Sequence, residues 1–225
     1  MWAYGAFFND STGTAFSDAE HGQVSDNQGM NLNSRLVTTP YYCDGGRYLL
    51  HLGTGINYSD DHDDSVRFLA HPEVYEGLRF LDSGEIAAEV FYFVNAEAAL
   101  VYGPLSLLSE FFYTRTNGAG PATDLDFYGA YAYLSSFMTG ENRSYNRGGG
   151  YFVRVRPFTN FWVVDTIDGR NVGWGAWEAA ARCSFIDLTD GTDPNSGQQN
   201  NFYARPELVL QSLYANDVQL DPHVR

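Results

Sequence analysis

Lysine is missing from this chain. All 13 basic residues are arginine, against 28 Asp and Glu, and the formal net charge is −15. So acidic a chain is a poor match for nucleic acid or an anionic membrane surface, which attract basic patches. Cysteine is scarce: Cys43 and Cys183 cannot define a disulfide framework, and both are expected unpaired, Cys183 on an apolar face. No run of about 18 apolar residues occurs, so no transmembrane helix is expected. That excludes nothing for a membrane protein built of strands, whose signal is weak and alternating. The catalytic signatures G-x-S-x-G, H-E-x-x-H and C-x-x-C are also missing. His21, His51, His62, His71 and His223 are scattered, and no spacing selects a carboxylate pair, so no enzyme is expected. Asp60–Asp64 (DDHDD) lacks the distal Glu of a calcium loop and reads as a solvated turn. No metal or cofactor is expected. The start, MWAYGAFFND, has no charged leader, long apolar segment or small-residue cleavage site.

What the chain does hold is strand chemistry. Aromatics make up 16% of it, and 23 glycines supply turns. The clearest stretch is Gly173–Gly191. One parity carries Trp177, Ala179, Ala181, Cys183 and Phe185; the other carries Glu178, Ala180, Arg182 and Ser184. A strand sends these sets to opposite faces, one apolar and one polar. In a soluble sandwich the apolar face meets a second sheet; in an outer-membrane barrel it meets lipid, and the polar face lines a wet lumen. Further strands are expected at Trp2–Asn9, Asn31–Tyr42, Arg47–Ser59, Ile86–Tyr102, Leu105–Thr116, Leu125–Met138 and Tyr151–Arg156. Cys43–Gly46 and Gly103–Pro104 read as tight turns. Val66–Val74 contains Pro72 and is expected to be bulged, at an edge, or folded inwards. Thr139–Gly150 and Thr189–Asn201 read as polar loops, and Pro157–Val172 as irregular.

Six phrases in order also resemble a known family. They are RYLLHLGTGINYSD (Arg47–Asp60), VRFLAHPEV (Val66–Val74), EAALVYGPLSLLSEFFY (Glu97–Tyr113), FYGAYAYLSSFMTGENRSYNR (Phe127–Arg147), VRVRP (Val153–Pro157) and the Gly173–Gly191 stretch. Together they resemble the phosphate-selective porin O and P family, from about Trp2 to Phe202. The resemblance implies an all-β fold, an antiparallel transmembrane β-barrel present here as a partial barrel of about nine strands. It implies a bacterial outer-membrane porin passing small hydrophilic solutes, anions such as phosphate among them, with outer-membrane lipid around it and a homotrimer in the full-length form. It further implies an internal piece of a longer chain, since a porin must be exported; 225 residues alone are expected neither to insert nor to conduct.

Family members are described as conducting anions past Arg and Lys side chains. Arg154, Arg156 and Arg182 fall on polar parity and are the anion-binding candidates, with Arg35 and Arg67 behind them. Arginine's planar fork suits oxyanions. The plainer alternative is that these arginines pair with carboxylates such as Glu178 and only stabilise a polar wall. Without lysine, and with Glu89, Glu97, Glu110 and Glu178 also expected at the lumen, a strong phosphate preference is not implied. The rivals are a secreted soluble β-sandwich that binds carbohydrate through its aromatics, and a structural outer-membrane protein with a plugged lumen.

Residues 1–202 thus form one unit, and Tyr203–Arg225 departs from the family wording. One inserted base at Phe202–Tyr203 would let the shifted codons read Thr-Leu-Gly-Leu-Asn-Trp-Tyr-Phe and onward, which resembles the family's continuation. The expected result is a nucleotide sequence whose shifted codons spell that string; incompatible codons end the idea.

Overall fold

The computed structural model describes residues 1–10, 28–60, 65–70, 81–118, 124–166, 169–191 and 196–209. It is nearly all strand. The first half runs β1 (Trp2–Asp10), β2 (Gln28–Cys43), β3 (Tyr48–Asp60), three two-residue pieces β4 (Ser65–Val66), β5 (Leu69–Ala70) and β6 (Leu81–Asp82), then β7 (Ile86–Tyr102) and β8 (Leu105–Gly118). The second half runs β9 (Leu125–Phe137), β10 (Tyr145–Asn146), β11 (Tyr151–Phe152), β12 (Phe161–Thr166), β13 (Gly169–Trp174), β14 (Ala176–Asp187) and β15 (Gln198–Val209).

Eight long strands make one antiparallel meander in the order β1-β2-β3-β7-β8-β9-β14-β15, with β4 added against β7. The edges are β1 and β15, and the sheet is not closed. At one end the strands turn tightly. Asp44, Gly45 and Gly46 all take positive φ in the β2–β3 turn, and Gly103 does so in the β7–β8 turn, the conformation the Asp-Gly-Gly chemistry allows. The 38 residues between β9 and β14 also leave from this end, while β3 reaches β7, β8 reaches β9 and β14 reaches β15 through longer connections at the other.

The two faces differ. Among residues facing one way are Leu36, Leu52, Ile56, Val94, Leu100, Leu107, Phe111 and Leu134, all exposed; Ile56 keeps 54% of its surface and Leu36 57%. Aromatic pairs bound this apolar band. Tyr48 packs edge-on against Tyr102, ring centroids 5.1 Å apart, near the tight turns. Tyr58 and Tyr92, 5.4 Å apart, and Tyr128 and Phe185, 5.8 Å apart, stand near the long loops. From Tyr48 to Tyr58 the chain rises roughly 33 Å along the strand, or roughly 25 Å along a barrel axis at about 40° tilt. That is about the height of the apolar belt of an outer-membrane barrel. A two-layer sandwich would hide this face against a second sheet, and no described element covers it.

The opposite face carries the polar side chains and the small cores. Two chain segments fold onto it. At the long-loop end Val66 and Leu81 pack with Ile86, Ala88, Phe127 and Leu188. At the tight-turn end Tyr145 packs on Leu49 and Val101, and Val155 on Phe137 and Ala176. The described part of the Pro72 piece therefore folds inwards; Pro72 itself lies outside the described residues, as do Asp61–Asp64.

Three expectations need correction. Tyr151–Arg156 is not a wall strand: only Tyr151 and Phe152 pair, with Asn146 and Tyr145. Its alternation arises because Val155 is buried against the inner face while Arg154 and Arg156 are exposed. Pro157–Val172 is not irregular throughout, since β12 and β13 form a hairpin with six paired positions. Thr189–Asn201 is not all loop, since β15 begins at Gln198 and pairs with β14 through Val209, so the Phe202–Tyr203 boundary falls inside a strand.

A charge in the middle of the apolar face is expected to cost about 2–4 kcal/mol in lipid. Leu52→Arg in the full-length protein should lose roughly that much in urea unfolding from vesicles. An unchanged unfolding midpoint would mean that this face meets water.

Candidate channel lining

Alternation and register bring the inner-face side chains into rows. Arg35 on β2, Gly55 on β3, Asn95 on β7, Phe112 on β8 and Gly129 on β9 lie across from one another. The next row, one step of two residues nearer the tight turns, holds Val37, Gly53, Glu97, Glu110 and Tyr131. Glu97 and Glu110 are thus direct cross-strand partners, an arrangement that repels. Both turn away. Glu97 lies over Gly53, where an added Cβ would sit 2.2 Å from its Oε1, and reaches Arg35 two strands off. Arg35 Nε donates to Glu97 Oε1 at 2.9 Å, with Nη2 at 2.6 Å from the same oxygen. Glu110 instead accepts from Asn95 Nδ2 at 2.7 Å. Asn95 in turn lies over Gly55. The two glycines are the open floor these side chains need.

The segment after β9 crosses this wall. Tyr145 hydroxyl and His51 Nδ1 are 2.8 Å apart, and the imidazole is buried, with its Nε2 3.7 Å from Glu97. Arg143 pairs with Glu178 and donates to Ser106 Oγ at 3.2 Å and Ser135 Oγ at 3.1 Å. Tyr133 hydroxyl donates to Glu178 at 3.1 Å. Glu141, almost fully buried, accepts from the Phe158 amide at 3.0 Å. The inward segment is therefore pinned to the wall by charge-assisted hydrogen bonds, the stronger kind.

The candidate arginines do not gather into one ladder. Arg35 and Arg182 lie on the inner face, and Arg182 sets its guanidinium 4.1 Å above the Tyr131 ring. Arg67 forks onto Asp82, Nε to Oδ1 at 2.9 Å, beside the inward-folded loop. Arg154 and Arg156 are exposed in the stretch after β11, off the wall. Of the expected carboxylates, Glu97, Glu110 and Glu178 face inwards, while Glu89 is exposed at a β7 bulge. Glu178 pairs with Arg143, not with its strand neighbour Arg182. At the loop-end rim, Arg115 and the Gly118 amide hydrogen-bond Asp124 and hold its carboxyl below the ordinary range. His51, Arg143 and Tyr145 were not among the expected site residues. Their partners lie 94 residues away for His51 and Tyr145, and 35 for Arg143 and Glu178, and no local pattern marks such contacts.

Comparison with known proteins agrees with this architecture. The family described as phosphate-selective porin O and P matches residues 3–212. The chain belongs to that family. A relative, an uncharacterized protein from Caulobacter vibrioides, is 27% identical over 194 residues. The match covers 83% of this chain and 36% of the relative, so the porin chain here spans about a third of that relative's length. Both cysteines of this porin chain are free and exposed.

Removing Arg143 leaves Glu178 buried and unpaired, a defect worth about 3 kcal/mol. Arg143→Ala is expected to lower the midpoint of chemical unfolding accordingly and to open residues 139–150 to proteases. An unmoved midpoint with unchanged cleavage would show that the pair does not hold the segment.

Proposed function

We propose that the full-length protein is a porin of a bacterial outer membrane, passing small hydrophilic solutes by diffusion, with anions such as phosphate among them. One observation carries this reading. The sheet exposes an apolar band bounded by tyrosine pairs, while its other face is polar and partly covered by inward-folded segments. Lipid on one side and water on the other satisfy both faces. The β2–β3 and β7–β8 turns then face the periplasm and the opposite loops the exterior, with part of the β9–β14 connection folded back onto the inner face. The family's trimer is the assembly expected. The soluble sandwich accounts poorly for the uncovered apolar band.

The charges argue for no more than a mild anion preference. Arg35, Arg143 and Arg182 are matched by Glu97, Glu110 and Glu178 on the same described surface, and two of the arginines are already in ion pairs. Selectivity in a wide pore follows the charges that face water, and a paired guanidinium offers an anion little.

In planar bilayers the full-length protein should give stepwise ion conductance with slight preference for chloride over potassium. Glu97→Gln should raise that preference several-fold, because Arg35, 40% exposed at its side chain, then faces the lumen without its carboxylate. No conductance would sink the porin reading; an unchanged permeability ratio would sink the role of the Arg35–Glu97 pair.

A further inference from the structure

A row of rings crosses the inner wall. Phe93 on β7, Phe112 on β8 and Tyr131 on β9 each sit two residues nearer the tight turns than the last. Their centroids are 6.3 Å apart at both steps, and the Phe93 and Phe112 planes differ by only 21°. Gly129 makes room for the Phe112 ring, which an added Cβ would meet at 3.0 Å. Arg182 continues the row over Tyr131. All three rings are half-buried, so part of each stays open to the lumen.

The row ends in a cavity of about 220 Å³ between the wall and the inward segment. Tyr131, Tyr151 and Phe152 offer aromatic surface there, and Arg35, His51 and Glu97 offer polar groups. That is room for about seven waters at ~30 Å³ each, the volume class of one six-membered sugar ring. The polar groups oppose one another in sign, Arg35 against Glu97. A lone phosphate would meet the Glu97 carboxylate and a guanidinium already engaged by it. A sugar brings no charge, has hydroxyls that both donate and accept, and has an apolar C–H face that packs on an aromatic plane.

We propose that Phe93, Phe112 and Tyr131, with the Arg35–His51–Glu97 cavity, form a binding track for uncharged sugars within the pore. The proposal rests on the porin reading above and names a solute class for it. Rings supply the stacking surface, and the neighbouring ion pair supplies matched donors and acceptors without attracting ions strongly.

Single-channel recording of the full-length protein with maltotriose added tests it. The current should fall to a saturating limit. Polyethylene glycol of similar mass should lower it only in proportion to its concentration, and inorganic phosphate should block less well than maltotriose. Tyr131→Leu and Phe112→Leu should each raise the half-blocking concentration by about fivefold, since a stacked ring is worth about 1 kcal/mol. Each variant's half-blocking concentration is read against its own sugar-free conductance, which also reports that the barrel is intact. A conducting channel that maltotriose affects no more than polyethylene glycol, or that phosphate blocks better, overturns the sugar track and leaves the porin standing. A protein that conducts nothing overturns both.

Discussion

On the porin reading, backbone hydrogen bonding in hydrocarbon is the constraint on which the rest depends. Lipid offers no partner for an open N–H or C=O, and each one left open there costs several kcal/mol. The ladder from β1 to β15 pairs these groups strand by strand. Once the strands are paired, side chains must alternate between two media, and a slip of one residue would send every tyrosine and leucine of the band into the lumen. The register breaks sit where such a slip does least harm. One lies between Thr38 and Tyr41, beside Pro40, which has no N–H to donate; the other lies between Ala88 and Val90. Both are toward strand ends, and the middle of each strand runs without interruption.

Inside, the same alternation creates a problem that the apolar face does not have. Large polar side chains on adjacent strands are forced together, and Glu97 opposite Glu110 is the sharpest case. Glycine resolves it. Gly53 and Gly55 remove side chains from β3, so that Glu97 and Asn95 can lie across that strand, the one toward Arg35 and the other in reach of Glu110. The inward segment then settles on a surface where Arg35 and Glu97 are matched, and its own Arg143 matches Glu178. Its contacts to His51, Ser106, Ser135 and Glu178 spread over β3, β8, β9 and β14, and so tie neighbouring strands to one another.

Alternation was legible wherever one face of the sheet is apolar and the other polar. The β2–β3 and β7–β8 hairpins stand within a few residues of the bounds read from Asn31–Ser59 and Ile86–Thr116, because turn glycines and period-two patterning agree there. The stretch Val153–Arg156 shows the limit of that signal. Four residues of perfect alternation reflect one buried valine on the inside of the wall, not a spanning strand. The β12–β13 hairpin and β15 were missed for a related reason: Gly, Asn, Gln and Pro in them weaken the alternation, and pairing with a partner strand supplies what propensity does not. The arginine candidates were chosen by parity, which says which side a residue faces but not which carboxylate reaches it.

That last gap bears on what the pore does. A count of lumen arginines suggests an anion ladder; the partners of those arginines suggest a nearly neutral wall. The difference lies in the carboxylates and in the glycines that let them reach across. In this fold a change of solute preference need not add or remove a single arginine. Replacing a glutamate, or filling the floor under it with a Cβ, would expose a guanidinium that is already in place. The same ion pairs also hold the inward segment, so selectivity and the width of the passage are coupled. A substitution that frees Arg143 by removing Glu178 would alter both at once, whereas one at Glu97 acts on a half-exposed pair near the cavity and shifts charge with less effect on shape.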